Sequence, residues 1–494
     1  MDNTSDKIFD IRKQSFPIVG VAASLENHED VIKLVKNLPS VSGMSFILYL
    51  ENRQESETEL IKQLTENTKS EVVVIEPGNF LEPDKLYIFK HDQTLSHSHG
   101  TLSVTSRKNS VDSLSSIDHF FVSLALACKE FSRAILLSEN KTDGFIGLNY
   151  IKEQGGTAFA RLSEATHEYS RNYNDSLSET ADFVLKVEDI PSQLMLLESV
   201  YDSNYSMNPD KDKNILQGDD DIYIAILNLL RQNTGNDFSN YRQPTIRRRI
   251  ARRMVIAKIS NSIEYLEFIK DNPVELDLLF NDLLIPVTDF FRDSQVFKML
   301  PEVVFPKILE NKKNQEGIRI WVAGCSTGQE AYSIAISLHE YLASKNISLK
   351  VQIFASDISE KSISKARAGI YSRQDIRRVS ENRLARYFTK IESSYHINKQ
   401  IRHLCIFASH NFIKDPPFAK LDLVSCRNAL IYLDSYLQKK AFKTFHYGLL
   451  STGMLLLGKS ESTSYTRGLF EPLSKNFKLF NRLNGVNAKI PISR

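Results

Sequence analysis

The sequence predicts an α/β chain: two stretches of alternating strand and helix, with an all-helical stretch between them. Three observations carry that reading. Short apolar runs rich in Val, Ile and Phe, such as FPIVGVAAS (16–24), SFILYL (45–50) and VQIFASD (351–357), have the length of buried strands. Segments with a 3.6-residue apolar period follow most of them. One stretch, YDSNYSMNPDKDKNILQGDDD (201–221), shows neither period, and its Asn, Pro, Asp and Gly content reads as a linker.

In the first half, strand 16–24 leads into helix NHEDVIKLVKNL (27–38), strand 45–50 into helix ESETELIKQLTENT (55–68), and SEVVVIEPG (70–78) adds a strand. Helix IDHFFVSLALACKEF (117–131), strand RAILLSEN (133–140) and helix DGFIGLNYIKEQG (143–155), closed by glycine, continue the alternation. The helical middle holds DDDIYIAILNLLRQNTG (219–235), acidic at its start, then segments 240–258 and 262–272. Strand IRIWVAG (318–324), helix 329–345, strand 351–357 and helix 359–369 follow. After an irregular middle come strand LDLVSC (421–426), helix 435–449 and strand GMLLLG (453–458).

The chain has 494 residues, with 62 Lys and Arg against 60 Asp and Glu. A net charge of +2 sets up no global field for nucleic acid, so none is expected as a partner. Cys128, Cys325, Cys405 and Cys426 form no CxxC pair; reduced, buried thiols and no metal site are expected. The N-terminus lacks a secretory pattern, and no run of about 18 apolar residues exists. A cytoplasmic protein without membrane insertion is expected.

The turn WVAGCSTGQEAYS (321–333) joins a strand to a helix. It has neither the lysine of a phosphate loop nor the GxGxxG of a dinucleotide site. GCSTG matches the GxSxG of a nucleophile elbow, with His339, His396, His403, His410 and His446 downstream, but Ser326 is read as a turn residue rather than a nucleophile. Asp357 ends the next strand, where a carboxylate holds a ribose diol or caps a helix. A ribose device without a phosphate device suits S-adenosylmethionine.

LLIPVTDFFRD (283–293), IRIWVAGCSTGQEAYSIAI (318–336), FASDISEKSISKARAGIYS (354–372), SHNF (409–412), LDLVSCRNALIYLD (421–434) and GMLLLGKSES (453–462) occur in this order. Together they resemble the chemotaxis receptor methyltransferase (CheR) family, protein-glutamate O-methyltransferases, over about 221–480. The resemblance implies a small helical domain, a Rossmann-like methyltransferase domain, S-adenosylmethionine as donor and S-adenosylhomocysteine as product. It implies that Thr288, Arg292, Glu330, Asp357, Asn411, Phe412, Arg427 and Asn428 bind the donor. Arg292 and Tyr432 are expected at the methyl-transfer locus, against the plainer readings of a surface ion pair and a core tyrosine. Pro286 departs from the family, where many members carry Asn. A glutamate carboxylate is already ionised at neutral pH, so its methylation needs no general base, only alignment and desolvation.

Residues 242–258, RQPTIRRRIARRMVIAK, hold seven basic residues and no acid. Ile246, Ile250, Met254 and Ala257 form one helical arc, and Arg248, Arg249, Arg252 and Arg253 another, read as a cationic outer face. The resemblance gives these four arginines a substrate-docking role toward chemoreceptor cytoplasmic helices. Other chemosensory proteins are further expected partners.

FPIVGVAASLEN (16–27), SSIDHFFVSLA (115–125) and LLSENKTDGFIGLNYIKEQGG (136–156) resemble the chemotaxis methylesterase (CheB) catalytic domain over about 16–195. Ser24 matches its nucleophile and Asp143 its acid. Leu25, Glu26 and Asn27 replace glycines that shape the oxyanion site, Ser138, Glu139, Asn140 and Lys141 replace a second motif, and SFILYLEN ends without the histidine. His28, four residues past Ser24, is a poor substitute for it. A degenerate esterase site is expected. The domains expected are 14–198 (esterase-like), 199–220 (linker), 221–290 (helical) and 291–494 (methyltransferase). The alternatives are a non-catalytic receptor-binding scaffold and an active bifunctional methyltransferase and methylesterase. A small-molecule or nucleic-acid methyltransferase is a third.

Overall fold

The computed structural model describes residues 16–485 apart from 25–26, 52–56, 76–80, 89–92, 99–100, 107–115, 139–142, 164–173, 175–176, 179, 206–212, 285–287, 311, 313–316, 374, 393, 465 and 467. Leu25, Glu26, Glu139, Asn140, Lys141 and Pro286, singled out above, lie outside the described residues. The chain divides into two compact units: Met1–Asn236 with Gln243–Ile285, and Asp237–Arg242 with Pro286–Arg494.

In the first unit the strands are β1 (Ile18–Ser24), β2 (Ser45–Glu51), β3 (Glu71–Val74), β4 (Lys85–Ile88), β5 (Gln93–Ser98), β6 (Thr101–Ser106), β7 (Ser132–Leu136), β8 (Thr157–Arg161) and β9 (Phe183–Leu185). Seven of them form one sheet, ordered β3-β4-β2-β1-β7-β8-β9 and parallel throughout. Every residue of the central β1 is buried, which explains its unbroken apolar run. Strands β5 and β6 form a separate antiparallel hairpin. The helix Ser116–Cys128 packs Phe120, Phe121 and Leu124, all at 0% exposure, into the sheet core. Each such side chain contributes roughly 1.5–3 kcal/mol of burial energy.

Two expectations are corrected here. Residues 199–205 and 213–220, read as linker, are helical: they belong to Ile190–Tyr205 and Lys213–Thr234. Their polar composition masked the fold because both helices take their packing from neighbours distant in sequence. The second correction concerns the arginine helix, Gln243–Ile256. Arg248, Arg249 and Arg253 are buried and Arg252 is half-buried, so the cationic arc is not an outer face. Arg249 donates to Asp182 at 2.6 Å, and Arg252 lies 3.3 Å from the same oxygen and pairs with Asp282. Arg253 grips Glu275 with two bonds, at 2.9 and 2.5 Å. Arg248 stacks over Tyr201 at 4.2 Å and lies 3.7 Å from Glu198, which itself holds the fully buried Arg133. The acids come from helices and loops outside the arginine segment, so its own sequence shows only uncompensated charge. The geometry withdraws these four arginines from a docking surface.

In the second unit the strands are β10 (Ile318–Ala323), β11 (Val351–Asp357), β12 (Ile370–Ser372), β13 (Phe388–Ile391), β14 (Ser394–Ile397), β15 (Cys405–Ser409), β16 (Leu421–Cys426), β17 (Leu449–Leu457), β18 (Phe470–Ser474) and β19 (Leu479–Arg482). The main sheet is ordered β15-β11-β10-β16-β17-β19-β18. Its first five strands are parallel, and β19 pairs antiparallel with both β17 and β18. The stretch that looked irregular between β11 and β16 contains a small antiparallel sheet, β12-β14-β13. From β10 the chain proceeds to β11 and β15 on one side and to β16 and β17 on the other. The crevice at the carboxyl ends of β10 and β16 is therefore the topological switch point, the expected ligand site of such a sheet.

Candidate active site

The site is built on the turn after β10. Gly324 and Gly328 have φ of +74° and +95°, and Ser326 lies between them at +49°. A Cβ on Gly324 would sit 2.8 Å from Ala429 Cβ, and one on Gly328 would sit 2.9 Å from Ala366 Cβ. Both positions therefore need glycine for backbone conformation and for close approach. The Gly324 and Cys325 amides donate to the Ser356 carbonyl at 2.8 and 2.9 Å, locking the turn to β11. The Ser326 hydroxyl is buried without a hydrogen-bond partner among the described residues. It shares no hydrogen bond with any described histidine, so the geometry of an elbow nucleophile is not formed among the described residues.

Asp357 ends β11. Its oxygens accept from the Ser326 amide at 2.8 Å and the Ser359 amide at 3.0 Å. Burial pushes its carboxyl above the usual range, against the pull of these amides. Ser359, not Asp357, caps the following helix, its hydroxyl accepting from the Ser362 amide. With the amides of Ser326, Ser359 and Ile358 bonded, the carboxylate still keeps acceptor capacity for a hydroxyl donor. The burial-raised phenol of Tyr241, in the short Asp237–Arg242 segment, is also raised by the charge of Asp357. Sequence reading missed Tyr241 because it sits in front of the arginine helix, far from every motif.

Glu330 lies in the first turn of the helix Gln329–Ser344. It accepts from the Ser425 hydroxyl at 2.7 Å and from Arg427 Nη1 at 3.1 Å. Arg427 Nη2 donates to the Arg292 carbonyl at 3.0 Å and to Asp293 at 2.8 Å. One buried guanidinium thus ties three segments together. Phe291 and Asp293, flanking Arg292, have φ of +50° and +59°, a strained stretch held by its contacts. The Phe291 amide donates to Ser333 at 2.9 Å, and the Phe290 ring packs edge-on against Tyr371 and Phe388. Arg292 is buried, not a surface ion pair. Burial would raise the Asp293 carboxyl, yet Arg427, Arg292 and Lys459 hold it below its usual range. Asp293 was not singled out in the sequence, although it closes the VTDFFRD motif.

The remaining positions lie on neighbouring loops. Thr288 opens the strained segment. Asn411 and Phe412 follow β15, whose Ser409 pairs with Asp357; Asn411 bonds Asp415 and Ile413, and Phe412 lies 5.6 Å from Phe445. Asn428 has φ of +59°. Tyr432 ends the short helix Leu430–Tyr432, is half-buried, and its carbonyl accepts from the Arg242 amide at 3.0 Å. Direct bonds join Arg292, Glu330 and Arg427, and Asp357 joins them through the turn. An unpartnered buried hydroxyl, a glycine cradle and a ribose-type carboxylate fit a phosphate-free nucleoside with a charged amino-acid end.

In the first unit the Ser24 hydroxyl donates to Asn27 Oδ1 at 2.6 Å. His28 Nε2 is engaged with Gln63 Oε1 at 2.5 Å. Asp143 accepts from the Asp118 amide at 3.3 Å, and Asp118 in turn accepts from the Gly147 amide at 2.8 Å. Among the described residues, no histidine is bonded to Ser24. All four cysteines are free.

The sheet order and the crevice at its switch point define the second unit as a nucleoside-binding domain of methyltransferase type. Residues 286–478 match the family described as CheR methyltransferase, SAM binding domain; 222–284 match CheR methyltransferase, all-alpha domain; and 19–194 match CheB methylesterase. The putative methyltransferase Cher3 of Pseudomonas putida is 34% identical over 256 residues, 50% of this chain and 91% of that protein. A 104.1 kDa protein of Rhodobacter capsulatus is 29% identical over 437 residues, 85% of this chain; the chain spans 46% of that protein's length. The CheB methylesterase catalytic domain of Thermotoga maritima is similar at 22% identity and TM-score 0.32, covering 37% of this chain and 100% of that one. The chain belongs to the chemotaxis protein methyltransferase (CheR) family and carries a CheB-type module ahead of the methyltransferase domains.

Proposed function

We propose that this chain methylates glutamate side chains on the cytoplasmic helices of chemoreceptors, with S-adenosylmethionine as donor. The observation that carries it is the Arg427 bridge, which fixes Glu330 and the Arg292–Asp293 backbone beside the glycine turn. When bound, the donor supplies a sulfonium methyl to an acceptor carboxylate oxygen, and the C–S electron pair leaves with sulfur. The protein's own tasks are to bind, align and exclude water. Asp357 would accept from the ribose hydroxyls, and Glu330 and Ser326 would hold the amino-acid end. Arg292 and Tyr432 orient the acceptor carboxylate, and no residue moves a proton. Alignment of this kind supplies up to roughly 7–11 kcal/mol.

The CheB-type module is, on this reading, not hydrolytic. Among the described residues Ser24 has no imidazole base, and a serine hydroxyl without one is a poor nucleophile. The deciding experiment is transfer of labelled methyl groups to a chemoreceptor cytoplasmic fragment. Base-labile label is the expected ester; base-stable label, or none, overturns the proposal.

A further inference from the structure

Glu461 lies on the loop after β17, is 5% exposed, and none of the roles given above uses it. Its Oε2 accepts from the Gly458 amide at 2.8 Å and the Asn428 amide at 3.0 Å, and its Oε1 from the Leu430 amide at 2.8 Å. One carboxylate therefore satisfies three backbone donors from two loops, those after the adjacent strands β16 and β17. All three partners donate, so the arrangement calls for acceptors only and suits an ionised carboxylate. Burial raises its carboxyl against these amides and Arg427, which favour the charge.

The middle of the 427–432 segment is where this support falls. Arg427 is anchored by its guanidinium and Tyr432 by its carbonyl. Between them Asn428 holds φ of +59°, a conformation that needs outside contacts to persist. Gly458 makes the approach possible: a Cβ there would lie 2.9 Å from Glu461 Oε2 and 3.0 Å from the Asn428 nitrogen.

We propose that Glu461 is a positioning residue for donor binding, acting through the backbone of Asn428. The inference rests on the methyltransferase reading. A merely structural carboxylate would affect melting; a positioning one affects donor affinity through a specific neighbour.

The test measures S-adenosylhomocysteine binding to the full chain by calorimetry, alongside melting. Glu461→Gln, near-isosteric but with one acceptor turned donor, is expected to weaken binding about 10- to 100-fold with the fold retained. Added to Asn428→Ala, the same change is expected to cost less than about threefold, since the side chain that this backbone contact positions is already gone. Wild-type affinity in Glu461→Gln, or full additivity with Asn428→Ala, overturns the inference. If Glu461→Gln does not fold, Gly458→Ala carries the test: it keeps the carboxylate but pushes into it. Comparable loss supports the proposal and unchanged affinity overturns it. A wild-type chain that binds no S-adenosylhomocysteine sinks the methyltransferase reading itself.

Discussion

Arg249 donates to Asp182 at 2.6 Å inside the first unit, and both side chains are buried. Asp182 also accepts from the Ala158 amide at 2.9 Å, so it joins the arginine helix to strand β8. The pair converts the most conspicuous charge run of the sequence from a surface into an internal joint.

Removing one partner of such a pair leaves an uncompensated buried charge. Asp182→Ala, which takes the carboxylate from Arg249 and one of two from Arg252, is expected to destabilise the first unit by about 3–5 kcal/mol. Denaturant unfolding of the full chain checks this, with S-adenosylhomocysteine affinity as the control for the second unit. A loss below about 1 kcal/mol, the scale of an exposed pair, would contradict the buried geometry.

The same residue sets a pH dependence. Burial would raise the Asp182 carboxyl, but Arg249, Lys152 and Arg252 outweigh it and hold the carboxyl at about 2. A depressed carboxylate stabilises the fold above the unfolded value near 4, and that contribution disappears as pH falls from about 4 to about 2. Urea midpoints across that window should drop in the wild type more than in Asp182→Asn, which has no such carboxyl to titrate. Parallel curves would refute the assignment.

Arg427→Lys keeps the charge but cannot reach Glu330, the Arg292 carbonyl and Asp293 together. S-adenosylhomocysteine binding is expected to weaken about 10- to 100-fold. Affinity equal to wild type would mean that the bridge does not shape the donor site.

Ser24→Ala should leave methyl-ester hydrolysis of a methylated receptor fragment unchanged, at the uncatalysed background. Its hydroxyl is committed to Asn27, and His28 is engaged with Gln63. Hydrolysis by the wild type that Ser24→Ala abolishes would restore the module as an esterase.

Much of the second unit was legible from sequence because its motifs are local. The glycine turn, Asp357 and the 427–432 segment each occupy a few consecutive residues at a strand end, where backbone demands and ligand chemistry coincide. Glu461 was visible only as part of a quoted motif. Its role depends on donors at Asn428 and Leu430, which lie 33 and 31 residues away in the chain.

By itself the sequence determined the α/β character, the order of the modules and the strand-end residues of the candidate site, since these follow from periodicity and short-range backbone chemistry. Tertiary structure alone decided that the arginine helix faces inward, that the polar 199–220 stretch is largely helical, and that Arg427 and Glu461 hold backbone as well as side chains. The reason is common to all three: an ion pair or a buried hydrogen bond is defined by its partner, and these partners are brought together only when distant segments pack.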